Sequence, residues 1–212
     1  MPKVLEKVER RLGERLFLKG ERCSGPKCAY ARRAYPPGAH GKKRGKGKRR
    51  RGELSDYGRL LKEKKKTQYW YGVDDRVIKR YSREAASRPG IFSARFLERL
   101  ERRLDNVLFR AGFVLSRGTA RQMINHGHIT VDGVTVNIPS FQVRKGNAVA
   151  IKERAARSGR FADLEVRLKK YEPPQWMRAD PSKKTVAIVA LPDFDTTEKI
   201  AEIAKIKELY SR

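Results

Sequence analysis

The chain has 212 residues, 51 of them Lys or Arg against 24 Asp or Glu, for a net charge of +27. Such a length suffices for one or two domains whose core needs no disulfide or metal to fold, while such a charge repels itself unless a polyanion neutralises it. A hydrophobic content of 39% argues against wholesale disorder, and no apolar run reaches the ~18–20 residues of a membrane span.

Residues 3–17 are predicted to form an amphipathic helix, with Val4, Leu5, Val8, Leu12 and Leu16 at helical spacing. The start Met1-Pro2-Lys3-Val4 lacks the apolar centre of a signal peptide. A loop follows, rich in turn residues at Gly20, Cys23-Ser24-Gly25-Pro26-Lys27-Cys28 and Tyr35-Pro36-Pro37-Gly38-Ala39-His40-Gly41. Next comes a run without any apolar residue, Lys42-Lys43-Arg44-Gly45-Lys46-Gly47-Lys48-Arg49-Arg50-Arg51-Gly52. Its like charges repel and its glycines raise the entropy of ordering, so it is expected to order only along phosphates, with release of counterions. Ser55 is placed to cap a helix over 56–71, a further helix follows Asp74, and Pro89-Gly90 breaks the chain.

Residues 93–111 return to helical spacing, and Ser116 is placed to cap a helix over 117–125 that stops at Gly127. The period then changes from 3.6 to 2. Ile129-Thr130-Val131 and Val134-Thr135-Val136 flank Asp132-Gly133, a strong hairpin signal. A second turn at Lys145-Gly146-Asn147 leads into a strand from Ala148 to Ile151. Residues 153–172 read as helical, Pro173-Pro174 ends them, Thr185 to Val189 form a buried strand, and 197–210 close the chain as a helix. The fold class is α+β: a helical N-terminal domain, an inserted two-helix, short-strand module and a C-terminal return segment. The boundaries are 1–91 for the basic arm and helical domain, 92–152 for the module, and 153–212 for a segment packing back on the others.

Charge is not spread evenly. Residues 1–52 hold 18 basic and 4 acidic residues, and 102–152 hold 8 against 2. Arg117 and Arg121 lie four apart on one helix face, Asn125, His126 and His128 follow at its end, and Arg103 and Arg110 extend the surface. Guanidiniums clustered on two packed helices bridge phosphates bidentately, which suits a folded RNA with closely spaced strands. The partner class is therefore nucleic acid, with an anionic membrane surface a distant second.

Catalysis finds little support. The sequence shows no paired carboxylates beside a nucleophile and no Gly-rich phosphate loop opening a helix. His126-Gly127-His128 has no nearby Cys or carboxylate and is read as backbone contact or capping. Cys23 and Cys28 are weak metal candidates: two thiols do not complete a tetrahedral zinc site, and the spare donors are His40, Glu6 and Glu9. Two free thiols are preferred, and two cysteines fit a reducing cytosol.

The run Arg103-Leu104-Asp105-Asn106-Val107, then Phe113, Ser116-Arg117, Ala120-Arg121-Gln122 and Gly127-His128-Ile129-Thr130-Val131-Asp132-Gly133 resembles the S-four-type RNA-binding module. Outside it, Phe17-Leu18-Lys19-Gly20-Glu21-Arg22-Cys23, Arg32-Arg33-Ala34-Tyr35-Pro36-Pro37-Gly38-Ala39-His40-Gly41, Leu54-Ser55-Asp56-Tyr57-Gly58 and Leu209-Tyr210-Ser211-Arg212 resemble the bacterial small-subunit ribosomal protein four family. The resemblance implies a non-enzymatic, cytoplasmic constituent of the small ribosomal subunit. It implies a primary binder of small-subunit ribosomal RNA that docks at a helix junction, nucleates assembly of the subunit body and influences translational accuracy. The partners implied are that RNA, the neighbouring ribosomal protein five and messenger RNA where it enters the subunit, and no membrane.

Carried onto this chain, the RNA-facing positions are Arg32, Arg33 and His40, the cations Lys42, Lys43, Arg44, Lys46, Lys48, Arg49, Arg50 and Arg51 of the arm, Tyr57 and Lys62, and Arg103, Arg117, Arg121, His126 and His128 of the module. Many family members carry a four-cysteine zinc knuckle whose second pair matches Cys23 and Cys28. Here Glu6 and Glu9 stand where the first pair would be, which implies a zinc-independent or degenerate form without a cofactor. The rival reading is a pseudouridine synthase, whose catalytic Arg-Leu-Asp motif is similar to Arg103-Leu104-Asp105, although too little chain follows residue 152 for its catalytic domain. A third is a polyanion binder with no fixed target.

Overall fold

A computed structural model describes residues 5–41, 54–156, 164–169, 171–193 and 201–211. The arm at 42–52, the middle of the helix expected over 153–172 and the start of the closing helix lie outside the described residues. The chain forms two compact units, residues 1–82 with 199–212, and residues 83–198.

The first unit is helical. Helix α1 (Leu5–Leu12) is shorter than the helix expected over 3–17. Gly13 takes a left-handed φ of +72° and its N–H donates to the Glu9 carbonyl, which closes the last turn. Leu16 is nonetheless buried, from the loop that follows. That loop holds two single turns, α2 (Glu21–Ser24) and α3 (Ala29–Arg32). Helix α4 (Asp56–Trp70) begins where Ser55 predicts, with the Ser55 hydroxyl accepting from the Gly58 N–H at 3.2 Å. Helix α5 (Asp75–Ala86) follows, with its residues up to Ser82 in this unit, where it buries Ile78 and Tyr81. The closing helix, α11 (Ile203–Ser211), packs along α4 with Ile203 and Ile206 buried.

The second unit combines helices with one sheet. The helix expected over 93–111 is two, α6 (Phe92–Glu101) and α7 (Leu104–Arg110). The division has a local cause. The Leu104 and Asp105 N–H groups donate to the carbonyls of Phe141 and Pro139, and Arg103 bridges Gln142 as a strand would. Helix α8 (Arg117–Asn125) is capped by Ser116, whose hydroxyl accepts from Thr119, and stops at Gly127 with φ +70°. The hairpin of β1 (Ile129–Val131) and β2 (Val134–Thr135) turns through Asp132 and Gly133, both at positive φ.

Strand β3 (Ala148–Ile151) precedes two single-turn or two-turn helices, α9 (Glu153–Ala156) and α10 (Leu164–Lys169), and then β4 (Met177–Asp180) and β5 (Thr185–Ile188). The sheet order is β2-β1-β3-β5-β4, antiparallel throughout. Val131 pairs with Val149, Val149 with Val186 and Val186 with Ala179, so one apolar row crosses four strands. Leu104, Leu108 and Ile124 from the helices and Phe113 from the loop between them join that row in one core. Burying each such side chain contributes about 1.5–3 kcal/mol, so the helices and the sheet are held as one body.

Candidate nucleic-acid interface

In the first unit the loop from Cys28 to Gly41 is fixed from below. Arg10 donates through Nε to the carbonyls of Arg33 and Tyr35, at 2.8 and 3.0 Å, and its guanidinium lies over the Tyr35 ring. The turn ending at Gly41 admits no side chain there, since a Cβ would stand 1.7 Å from the Pro36 carbonyl oxygen. Arg32, Arg33 and His40 consequently sit exposed on a braced loop. Tyr57 is exposed on the first turn of α4. Lys62 is engaged elsewhere: with Lys66 it brackets the Glu14 carboxylate at 2.7 and 2.6 Å. Partial burial opposes that charge, but the hydrogen bonds from Lys62 and Lys66 overcome it and hold Glu14 below the usual carboxylate range.

The second unit places Arg103 and Arg117 differently from the expected phosphate-facing cluster. Arg103 is 5% exposed and grips Asp105 with two parallel bonds, Nε to Oδ1 at 3.0 Å and Nη2 to Oδ2 at 2.9 Å. Arg117 is 8% exposed, donates to the Asn106 side-chain oxygen at 2.8 Å and lies over the Phe109 ring at 4.2 Å. Beneath them are two buried carboxylates. Asp105 also accepts from Arg121 Nε at 2.7 Å, and Glu101 accepts from the Asn106 amide at 2.7 Å and from Arg110. The packing of α7 on α8 is thus stitched by charge-assisted bonds. Sequence reading missed Glu101, and it treated Asp105 as part of the module's motif, as the acid of the rival catalytic reading and as one of two acids among eight cations, not as a buried brace. Its position on the apolar stripe of a helix was the available signal.

At the surface of this unit remain Arg121, with its side chain 29% exposed, the exposed His126 and the half-buried His128. The two histidine rings stack at 5.8 Å across Gly127. The second acid of the region, Asp132, is engaged by the Ala148 N–H and the Asn147 amide at 2.7 and 2.6 Å. Both acids among residues 102–152 therefore serve internal structure. Asp105 is fully buried with both oxygens bound to guanidinium, a brace and not a nucleophile.

Around Cys23 the candidate metal donors Glu6 and Glu9 each make an internal contact. Both cysteines are buried free thiols, and burial pushes the Cys23 thiol up. Glu9 is fully buried, and its Oε1 accepts from the Leu16 and Leu18 N–H groups at 3.1 and 3.2 Å. Glu6 is ion-paired to Arg22 at 2.9 Å. Among the described residues no three His, Cys, Asp or Glu side chains are arranged to hold a metal, and no helix is long and apolar enough to cross a membrane.

Comparison with known proteins gives a consistent picture. Residues 5–101 match the model of the ribosomal protein S4/S9 N-terminal domain, and residues 102–149 match the S4 domain. The chain is 42% identical over 203 residues to the small ribosomal subunit protein uS4 of Syntrophomonas wolfei, covering 96% of this chain and 94% of that protein. Over the same shares it is 42% identical to the protein of that name from Halothermothrix orenii and 44% identical to that from Desulfitobacterium hafniense.

Proposed function

The chain belongs to the family of small ribosomal subunit protein uS4, structural and non-enzymatic constituents of the ribosome, and from that premise we propose that it is a primary binder of small-subunit ribosomal RNA. In this reading it acts in the cytoplasm, nucleates assembly of the subunit body and influences translational accuracy, with ribosomal protein five and incoming messenger RNA as neighbours. The mechanism is architectural. Phosphates of converging RNA helices are neutralised, which lowers their mutual repulsion and fixes their angle.

One observation carries it. The two acids of residues 102–152 are committed to internal bonds, and against eight cations they leave the module a net positive charge. The RNA contacts are assigned to Arg121, His126 and His128 in the second unit. In the first they are Arg32, Arg33, His40 and Tyr57, and the arm's Lys42 to Arg51 add the remainder. Arg103, Arg117 and Lys62 act from behind, as braces. The Cys23–Cys28 loop works without zinc, held by Glu9 and by Arg15, which donates to the Cys23 carbonyl. Chelation leaves affinity unchanged in this reading, and a large loss would refute it.

The test is a titration against small-subunit ribosomal RNA in excess transfer RNA, repeated over a series of salt concentrations. Log affinity is expected to fall with log salt at about 0.7 to 0.9 per phosphate neutralised, while tight binding survives the competitor. Equal binding to both RNAs would leave a basic protein without a fixed target and overturn the proposal. Uridine isomerisation abolished by Asp105→Asn would restore the enzyme reading.

A further inference from the structure

In the first unit the backbone carries a cost at Phe17. This residue takes a left-handed φ of +51°, a region in which a bulky side chain is strained and which glycine or asparagine enters more readily. The other two non-glycine residues at positive φ among the described ones, Asp132 and Lys184, lie in turns between paired strands. Phe17 joins no strands. Its conformation is imposed from below: one carboxylate oxygen of the fully buried Glu9 accepts from the N–H groups on both sides of it, those of Leu16 and Leu18. The Phe17 carbonyl then accepts from the Gly20 N–H at 3.2 Å, and the Lys19 N–H donates to Cys23 Sγ at 3.4 Å.

What this braced turn presents is an aromatic ring. Phe17 is 47% exposed, while Leu16 beside it is buried. The guanidinium of Arg15 lies over the ring at 4.7 Å and also donates to the Cys23 carbonyl, so the cation is tied to the same turn. Arg15 and Lys19 are exposed on either side of Phe17 in the chain. A turn that only had to be solvated would gain from glycine here, which removes both the strain and the exposed apolar surface. A strained, exposed aromatic held by a buried carboxylate suits a stacking contact, because the ring is flat and fixed in place before its ligand arrives. The flanking cations decide which ligand. An apolar protein pocket closing on the ring would also bury the Arg15 guanidinium, at the cost of its hydration. A nucleotide fits without that cost, with its base on the ring and its phosphates at the cations.

We infer that Phe17 is a stacking platform for an unpaired base of the bound RNA, presented by Glu9 and flanked by Arg15 and Lys19. The inference rests on the RNA-binding reading above and deepens it, because cations that neutralise phosphates do not require an unpaired base. A ring that stacks on a base selects a loop, bulge or junction, where bases are free to leave the duplex. Its contribution releases no counterions and is therefore largely independent of salt.

The test uses the full chain and a small-subunit ribosomal RNA transcript, with transfer RNA as competitor, over a salt series. Phe17→Gly is expected to weaken binding by about 5- to 150-fold and to displace the log–log salt line without changing its slope. Its melting temperature should hold or rise, since relief of strain offsets the added freedom of the unfolded chain. Phe17→Leu keeps an apolar side chain but no π face and should lose affinity likewise, whereas Phe17→Trp keeps it. Unchanged affinity in Phe17→Gly, full binding by Phe17→Leu, or an affinity loss matched by a fall in melting temperature would overturn the proposal. So would a loss that appears only when a second small-subunit protein is present, which would assign the ring to a protein partner. If the wild type cannot hold the ribosomal transcript against transfer RNA, the functional reading fails instead. The platform is then decided on single-stranded oligoadenylate and on duplex RNA. Weaker binding of Phe17→Gly to the single strand alone supports it, and a loss equal on both RNAs, or none, overturns it.

Discussion

A fully buried carboxylate that accepts three bonds from two arginines is a high-stakes residue. Asp105 holds Arg103 and Arg121 at 2.7 to 3.0 Å with no exposure of its own. Removing one partner of a buried pair strands the rest, at a cost of about 3–5 kcal/mol. Asp105→Ala is therefore expected to lower the urea midpoint of the second unit steeply. Arg121→Gln, at the wetter end, should cost much less stability while weakening RNA binding, a split visible by running denaturation and RNA titration on both variants. Glu14 gives a pH signature. Its folded-state pKa is depressed, so its contribution is present above the ordinary carboxylate pKa and is lost as pH falls through the lower folded value. The stability gap between wild type and Glu14→Gln should be open at pH 7 and close in that acid range; a gap that persists into acid would assign Glu14 a role other than its charge. At this scale the sequence was a partial guide. It located the cations, because charge is visible in composition, but Arg103 is turned inward by Asp105 and Arg117 by Asn106 and Phe109, contacts that only tertiary packing decides.

Local chemistry sets the elements wherever a single residue dominates. The caps at Ser55 and Ser116, the stop at Gly127 and the Asp132-Gly133 turn were legible because each is fixed by its own backbone preference. Ser116→Ala is expected to cost about 1 kcal/mol and to speed exchange of the Thr119 amide, its bond donor. Where a distant segment intervenes, the reading went astray. The continuous helix expected over 93–111 is interrupted because the segment from Pro139 to Gln142 captures the N–H groups of Leu104 and Asp105, a competition that no periodicity registers. Strand β4 was missed for a related reason: Met177-Arg178-Ala179-Asp180 has weak alternation and becomes a strand by pairing with β5. Gly112 tests the packing at this level. With φ +76° and Tyr171 Cδ1 at 2.7 Å from the site of a Cβ, Gly112→Ala combines backbone strain with a clash and should lower the melting temperature more than Ser116→Ala.

Taken whole, the molecule carries +27 on 212 residues, and the ion pairs described above cancel only part of the repulsion. Charge drawn together by folding costs free energy that scales with how poorly the solvent screens it, and the Debye length falls from about 30 Å at 0.01 M salt to about 8 Å at 0.15 M. The free protein is therefore expected to gain thermal stability as potassium chloride rises through this range, the reverse of a fold held mainly by surface ion pairs. A polyanion that binds the folded state does the same by mass action, and more specifically. Small-subunit ribosomal RNA added at low salt should raise the melting temperature further than screening alone, and the gain should shrink as salt is added, because the counterion release that drives binding weakens. Calorimetry across a salt series, with and without the RNA, separates the two effects. A melting temperature that falls with salt in the free protein would mean that internal pairs outweigh repulsion, and the excess of positive charge on which the RNA-binding reading rests would lose its physical basis.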